Sequence, residues 1–316
     1  MKTRKIVGEW YIYILMIVIW VIASLITPYF RQMSVFMTII VFSVPLALVA
    51  LGQNLVILSG RFDLSVGSIL GLSTVIASVI MKNNLFIGIS FPLLLGAVLG
   101  FINGISISKF RIDSFIMTFG MMAVCQGIGL LIRDYPGGYI PPGYINFLLK
   151  ETRHIALTPL FILIIILLVG EFVLKRTNFG RAVYAIGNDD VIAYRSGINV
   201  TLIRTAVFTI SGFTAAIAGL FLSAVMASGD ATVGVLYPLD SITAVVMGGT
   251  VLAGGRGDYK GTIGAVLILN SLARIFNLIG VNIWYTYIAK GLLLLIIVAI
   301  RMFGVKEERE AVLSQI

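Results

Sequence analysis

The chain has 316 residues, of which 59% are hydrophobic and 12% charged, and a formal net charge of +9. Soluble domains carry roughly 25% charged residues, so this composition excludes an ordinary water-soluble enzyme. With one cysteine, Cys125, and one histidine, His154, a disulfide framework and a Cys/His metal cluster are excluded too. The basic excess of so apolar a chain marks loops held in the cytoplasm and not a nucleic-acid surface.

The first apolar run, "WYIYILMIVIWVIASLITPYF" (10–30), is long enough to cross a bilayer, which takes about 20 residues. It follows "MKTRK" as in a signal peptide, but it is too long and no small-residue cleavage site follows, so it is expected to persist as an uncleaved span. After this helix at 11–30, nine more are expected at 36–59, 65–81, 86–108, 114–132, 157–174, 203–227, 239–253, 261–279 and 283–302. The runs do not alternate apolar and polar residues, which excludes an outer-membrane barrel. The expected fold is an all-α polytopic membrane protein of about ten transmembrane helices, a single transmembrane domain over residues 1–316.

An even number of spans puts both termini on one side of the membrane. If that side is the cytoplasm, sixteen Lys and Arg residues fall inside and five outside, with Arg274 and Lys290 within helices. Two polar loops stand out, 175–204 inside and 133–156 outside. Weak internal echoes suggest two inverted-repeat halves, helices 2–5 and 7–10: "GAVLGFINGIS" (96–106) resembles "GAVLILNSLA" (264–273), and "FDLSVGSILG" (62–71) resembles "LDSITAVVMGG" (239–249). Transporters use this plan to expose one central site alternately to each side.

Within the inside loop, "NDDVIAYRSG" (188–197) reads as a complete short helix. Asn188 would be its N-cap, Asp189 and Asp190 would suit the positive end of the helix dipole, Arg195 the last turn, and Gly197 a left-handed cap. At about 12 Å, it is too short to be stable alone and must lean on its own bundle, the membrane face or a partner. The outside loop, rich in Pro, Gly and Tyr, is a natural landing surface for an extracytoplasmic protein.

Four ordered stretches carry a resemblance: "GQNLVILSGRFDLSVGSILGLS" (52–73), "FINGISISKFRIDSFIMTFGMM" (101–122), "TNFGRAVYAIGNDDVIAYRSGINV" (177–200) and "ITAVVMGGTVLAGGRGDYKGTIGA" (242–265). They are similar to the ribose-type sugar permeases of ABC importers over roughly residues 45–305. The resemblance implies a multi-pass subunit of the bacterial cytoplasmic membrane that pairs with a second permease copy or paralogue, a cytoplasmic ABC ATPase and an extracytoplasmic sugar-binding protein. It also implies that Gly187, Asn188, Asp189, Asp190, Tyr194, Arg195 and Gly197 form the ATPase-coupling contact, and that Arg61, Asp63 and Ser65 belong to a signature loop. Two departures, Arg61 where the family usually has Gly and Pro238 where it tends to have Glu, leave the carried sugar open.

No "GxxxxGK[ST]" occurs. "GGRGDYKGT" (254–262) follows its Lys260 with Gly, so the chain is expected to bind no cofactor, with ATP and Mg held by the partner ATPase. That segment reads as a tight turn or a second ATPase contact. Gly96, Gly100 and Gly104, and likewise Gly67 and Gly71, have the four-residue spacing of close helix packing. Gln53, Asn54, Asn103, Thr118, Gln126, Asn270 and Asn277 are polar groups in spans, either interhelical bonds or a translocation path, with Phe119 or Tyr287 offering aromatic faces. Asp63, Asp113 and Asp240 lie at expected helix starts and read as N-caps, Asp63 with a gating contact to Arg61 as the alternative. Lys290 would either snorkel or pair with a carboxylate. No catalytic constellation is present. The function expected is a sugar importer permease working by alternating access; a nucleoside permease of a related ABC branch and an ion-coupled secondary transporter are the alternatives.

Overall fold

The computed structural model describes residues 2–152, 155–282, 284–293, 295, 296 and 299. Arg153, His154 and the far end of the expected tenth helix, with Arg301, Lys306 and Arg309, lie outside the described residues. The helices are α1 (Lys2–Ile26), α2 (Met33–Leu58), α3 (Val66–Ile80), α4 (Leu85–Lys109), α5 (Ser114–Ile132), α6 (Pro142–Leu148), α7 (Leu157–Arg176), α8 (Asn178–Asn188), α9 (Asp190–Arg195), α10 (Val200–Met226), α11 (Tyr237–Met247) and α12 (Tyr259–Leu278). Residues 284–293 are also helical. A two-residue antiparallel ribbon pairs Glu151 with Ala156 and Thr152 with Ile155.

Among the described residues, six helices, α2, α4, α5, α7, α10 and α12, are long and apolar enough to cross a membrane. The chain is a polytopic helical membrane protein. Several helices start where a side chain can satisfy free amides: Asn84 for α4, Asp113 for α5, Thr177 for α8, Asn199 for α10 and Asp258 for α12. The Asp113 expectation therefore holds, its carboxylate accepting from the Phe115 and Ile116 amides.

The core is built around α2 and α10. Helix α10 packs against α4, α2 and α3, while α2 also packs against α12, α11 and α7. The glycine stripe of α4 explains the tightest of these contacts. A Cβ on Gly96 would collide with the Gly212 carbonyl, one on Gly100 with the Phe208 carbonyl, and one on Gly104 with the Thr205 backbone. By contrast, α4, α5 and α7 turn much of their apolar surface outward, as at Phe101, Ile116, Leu131, Phe161 and Leu168, which suits lipid and not water.

The bundle has two distinct ends. At one, the Gly255 amide donates to the Leu58 carbonyl (2.9 Å), the Tyr184 hydroxyl to the Gly257 carbonyl (2.7 Å) and the Tyr13 hydroxyl to the Lys260 carbonyl (2.9 Å). That end gathers the 175–204 loop, the end of α2, the 248–258 turns and the outset of α12. At the other, the 133–156 loop closes over α3 and α10. The Tyr139 amide donates to the Ser78 carbonyl (2.9 Å), the Tyr144 hydroxyl to the Leu220 carbonyl (3.1 Å), and Gly137 and Gly229 exchange backbone bonds.

Three boundaries differ from expectation. The first helix, expected at 11–30, runs from Lys2 to Ile26 and is followed at Pro28–Arg31 by a 3-10 turn that starts on the proline. The helix expected at 239–253 runs only from Tyr237 to Met247. Gly249, Gly254, Gly255 and Gly257 all have positive φ, a run of turns no helix can include. The N-cap of the short loop helix is Asp189 and not Asn188. Asp189 has the extended backbone (φ −162°, ψ 115°), and its carboxylate accepts from the Val191 and Ile192 amides, while Asn188 closes the preceding helix α8. That amphipathic α8, buried through Gly180, Val183 and Ile186, was signalled by Thr177 three residues before the amide it caps.

Candidate translocation and coupling site

Two stretches of non-helical backbone run through the bundle, 59–65 before α3 and 227–236 before α11. Irregular backbone at membrane depth must be satisfied by the protein itself. Most of the expected path residues do that work. Asn103 donates to the Ser65 hydroxyl (2.9 Å), the Leu64 amide donates to the Thr118 hydroxyl (3.1 Å), and Gln126 donates to the Ala231 carbonyl (3.0 Å). Asn54 reaches the 248–258 turns and the start of α12, donating to Thr250 Oγ1 (3.1 Å), the Asp258 carbonyl (3.1 Å) and Thr262 Oγ1 (2.8 Å). Gln53 is fully buried and its amide has no hydrogen-bond partner in the protein. Phe119 lies half exposed on the outer face of α5, stacked on Phe115. Arg274 reaches Asn277 Oδ1 (3.3 Å).

The signature loop is tied down on every side. Asp63 is fully buried; its Oδ1 accepts from the Ser65 amide (3.0 Å) and hydroxyl (2.6 Å), and its Oδ2 accepts from Ser211 of α10 (2.8 Å). Asp63 thus closes a turn onto α10 and is not the N-cap of α3, whose capping residue is Ser65. Asp230 repeats the pattern in the second stretch: its Oδ1 accepts from the Thr232 amide (2.7 Å) and hydroxyl (2.8 Å). Gly67 and Gly71 let this second stretch lie on α3, since a Cβ at either would meet the Gly234 or Ala231 carbonyl. They pack against the turns of that stretch, and Gly67 also against Pro238 at the start of α11.

Beside α11 the walls open into a cavity of about 600 Å³, lined by Asp240, Lys290, Asn270, Thr232, Tyr237, Trp284, Tyr287 and apolar neighbours including Phe42 and Leu46. Of the expected path residues, only Asn270 lines it, together with the aromatic Tyr287. Asp240 is not an N-cap: it sits within the first turn of α11, and its Oδ2 meets the Lys290 ammonium at 2.6 Å with both side chains mostly buried. Sequence reasoning left Lys290 between two fates; the pairing decides for the carboxylate. A second cavity, about 320 Å³ between α2, α7 and α10, has an almost wholly apolar wall and suits lipid.

At the opposite functional pole, α9 protrudes. Its Asp190 carboxylate bonds Arg204 of α10 at 2.6 Å and lies 3.9 Å from Arg61 of the signature loop, while Arg204 is almost completely buried. Gly187 fits against the Leu58 carbonyl and the Gly255 amide, where a side chain would collide, and Asn188 donates to the carbonyls of Tyr184 (2.9 Å) and Gly255 (3.5 Å). Burial, aided by Asp258 and Glu171, pushes the Tyr184 phenol up to about 12, so it stays a hydrogen-bond donor here. Gly197 takes the left-handed conformation (φ +84°) and Arg195 lies in the last turn of α9. Val191, Ile192 and Tyr194 are 58%, 63% and 72% exposed, an apolar face on a helix of six residues. Reasoning from polar residues missed Val191 and Ile192, and also Glu171, whose carboxylate accepts from the Tyr259 and Lys260 amides at the start of α12. The visible signal for the first two was an apolar pair inside a charged loop.

The family described as "Branched-chain amino acid transport system / permease component" matches residues 35–298. The chain belongs to this transport-permease family. The permease is 36% identical over 294 residues to the ribose import permease protein RbsC of Haemophilus influenzae, covering 90% of each chain. It is 33% identical over 296 residues to RbsC of Escherichia coli K12, covering 91% of each. The L-arabinose transport system permease protein AraH of Escherichia coli K12 is 29% identical over 270 residues, 83% of the permease and 80% of the relative. No solved structure matches.

Proposed function

We propose that the chain is the membrane subunit of an ATP-driven, binding-protein-dependent importer of a ribose-like pentose or related monosaccharide. Family membership, with ribose import permeases matched over nine-tenths of the chain, is the observation that carries this reading. The subunit has no ATP site of its own; ATP and Mg²⁺ belong to a partner ATPase. A sugar-binding protein would dock on the outer 133–156 loop, and a second permease copy or paralogue would complete the path. Both termini face the cytoplasm of a bacterial inner membrane, and residues 1–316 act as one permease domain. Tyr13 of α1 bonds the Lys260 carbonyl at the end of the bundle that holds the 175–204 loop, which supports a shared side for the N-terminus and that loop.

The repeat reading adds ten spans in two inverted halves. Each half has a short helix, α3 or α11, entered through a non-helical stretch, and each stretch holds an Asp-x-Ser/Thr turn with the same two bonds. Asp63 and Asp230 stand 167 residues apart, within one residue of the 168 separating Gly96 from Gly264, and this favours pairing the 62–71 stretch with the chain around 230 over pairing it with 239–249. Broken helices at matching positions are where transporters of this plan expose a central site to each side in turn.

Coupling runs through α9. The residues Gly187, Asn188, Asp189, Asp190, Tyr194, Arg195 and Gly197 shape the contact and brace it, and the apolar face of Val191, Ile192 and Tyr194 seats in a groove of the ATPase. Asp190 carries its displacement to α10 through Arg204 and to the signature loop, Arg61, Asp63 and Ser65, through Arg61. Substrate passes by the cavity and Asn270, and Gln53, Asn54, Asn103, Thr118, Phe119 and Gln126 shape the route around it. Uptake of labelled D-ribose, L-arabinose and nucleosides, in cells carrying or lacking this chain, tests the reading. Loss of monosaccharide uptake alone supports it; loss of nucleoside uptake alone transfers it to the nucleoside branch, and uptake insensitive to ATP depletion to an ion-coupled transporter.

A further inference from the structure

The cavity beside α11 has a feature that the import reading does not require: its polar wall is an ion pair. Asp240 and Lys290 meet at 2.6 Å, and their side chains are only 15% and 18% exposed. Their charges cancel, so the cavity presents no net charge from them, yet neither group is saturated. A carboxylate has a second oxygen and an ammonium three N–H donors, of which this contact uses one. Around the pair stand the Asn270 amide, the Thr232 hydroxyl and the rings of Trp284 and Tyr287, the rings edge to face at 5.6 Å. The volume of about 600 Å³ falls within the range of small-molecule sites.

From this geometry we infer that the cavity receives a neutral polyhydroxylated ligand of monosaccharide size, and that Asp240 and Lys290 are its specificity residues. Adjacent hydroxyls can donate to the free carboxylate oxygen and accept from the free N–H groups while the ion pair stays intact. A ring face can lie against Trp284. An anion such as a sugar phosphate would compete with Asp240 for the ammonium and leave the carboxylate buried beside it. A zwitterion such as an amino acid would match both charges but must first split the pair, stripping each of its partner in a poorly solvated site. The preference for a neutral ligand follows from that difference.

This inference rests on the import reading for its route but fails separately. The test uses the permease purified from its native membrane with whatever ATPase accompanies it, carrying Cys125→Ser and a reporter, Val235→Cys, on the exposed cavity wall. The rate of maleimide labelling is measured with millimolar D-ribose, L-arabinose or D-galactose, with D-ribose 5-phosphate, and with L-leucine. Several-fold slowing by at least one neutral sugar, with none by the phosphate or leucine, is expected. Adding Asp240→Asn with Lys290→Gln, which removes both charges together, should abolish that protection, read for each variant as the ratio of its rates with and without ligand. Trp284→Ala, on the exposed rim, should weaken protection even if the double variant does not fold. Protection by leucine or the phosphate, or by no sugar, overturns the inference, as does undiminished protection in the double variant. If the ATPase co-purifies while protection is absent, the specificity site is wrong and the importer reading stands.

Discussion

Arg204 carries its charge almost entirely out of solvent, and Asp190 makes that position tolerable. Removing the carboxylate strands a buried guanidinium. Asp190 is 40% exposed, so the loss is smaller than for a wholly buried pair: Asp190→Ala should cost about 2 kcal/mol, read as a lowered thermal midpoint in detergent. Asp63 is the sharper case. Asp63→Ala leaves the Ser65 amide and hydroxyl and the Ser211 hydroxyl without an acceptor, a loss of about 3 kcal/mol, whereas Asp63→Asn keeps an acceptor and should cost about 1 kcal/mol. Equal losses in the two variants would show that the turn does not depend on these bonds. At this scale the chain's residue types were legible but their partners were not. Asp113 announced its cap because the cap is local, whereas Asp240 looked identical and instead paired with a lysine fifty residues away.

At the scale of elements, hydrophobic run length located the long helices within a few residues, because a bilayer leaves little choice of length or conformation. It could not show where a helix stops short. Val251, Leu252 and Ala253 prolong the apolar run beyond Met247, and only the flanking glycines, four of them at positive φ, reveal the turns. The same blindness hid the partners of Asn54, Asn103, Thr118 and Gln126. They are polar in spans because irregular backbone lies beside them, a circumstance invisible to periodicity. The non-helical stretch 227–236 depends on the glycines of α3. Gly67→Val should displace it and abolish uptake, while Gly120→Val, where a side chain meets open space, should leave both expression and uptake unchanged. Comparable damage from the two would mean that the stretch does not need its seat on α3. Gly100→Leu should separate α4 from α10 and lower the thermal midpoint more than either.

Over the whole molecule, the account joins two poles. One is the cavity walled by α11 and residues 284–290; the other is α9, which projects an apolar face from the end of the bundle opposite the 133–156 loop. Between them, α10 and the signature loop are fastened both to α9 and to each other. The polar character of the 175–204 loop made it conspicuous in sequence, but the acids of α9 cap and brace, and α9 also exposes the apolar Val191, Ile192 and Tyr194. The direct measurement is therefore mass spectrometry of what co-purifies with the tagged chain from its native membrane in gentle detergent, beside a variant carrying Ile192→Asn and Tyr194→Ala, which spares the Asp189 cap and the Asp190 pair. Importer coupling through α9 predicts an ABC ATPase with the native chain and its loss from the variant. Absence of any ATPase from the native preparation would contradict the importer, and an ATPase retained equally by the variant would contradict α9 as its seat.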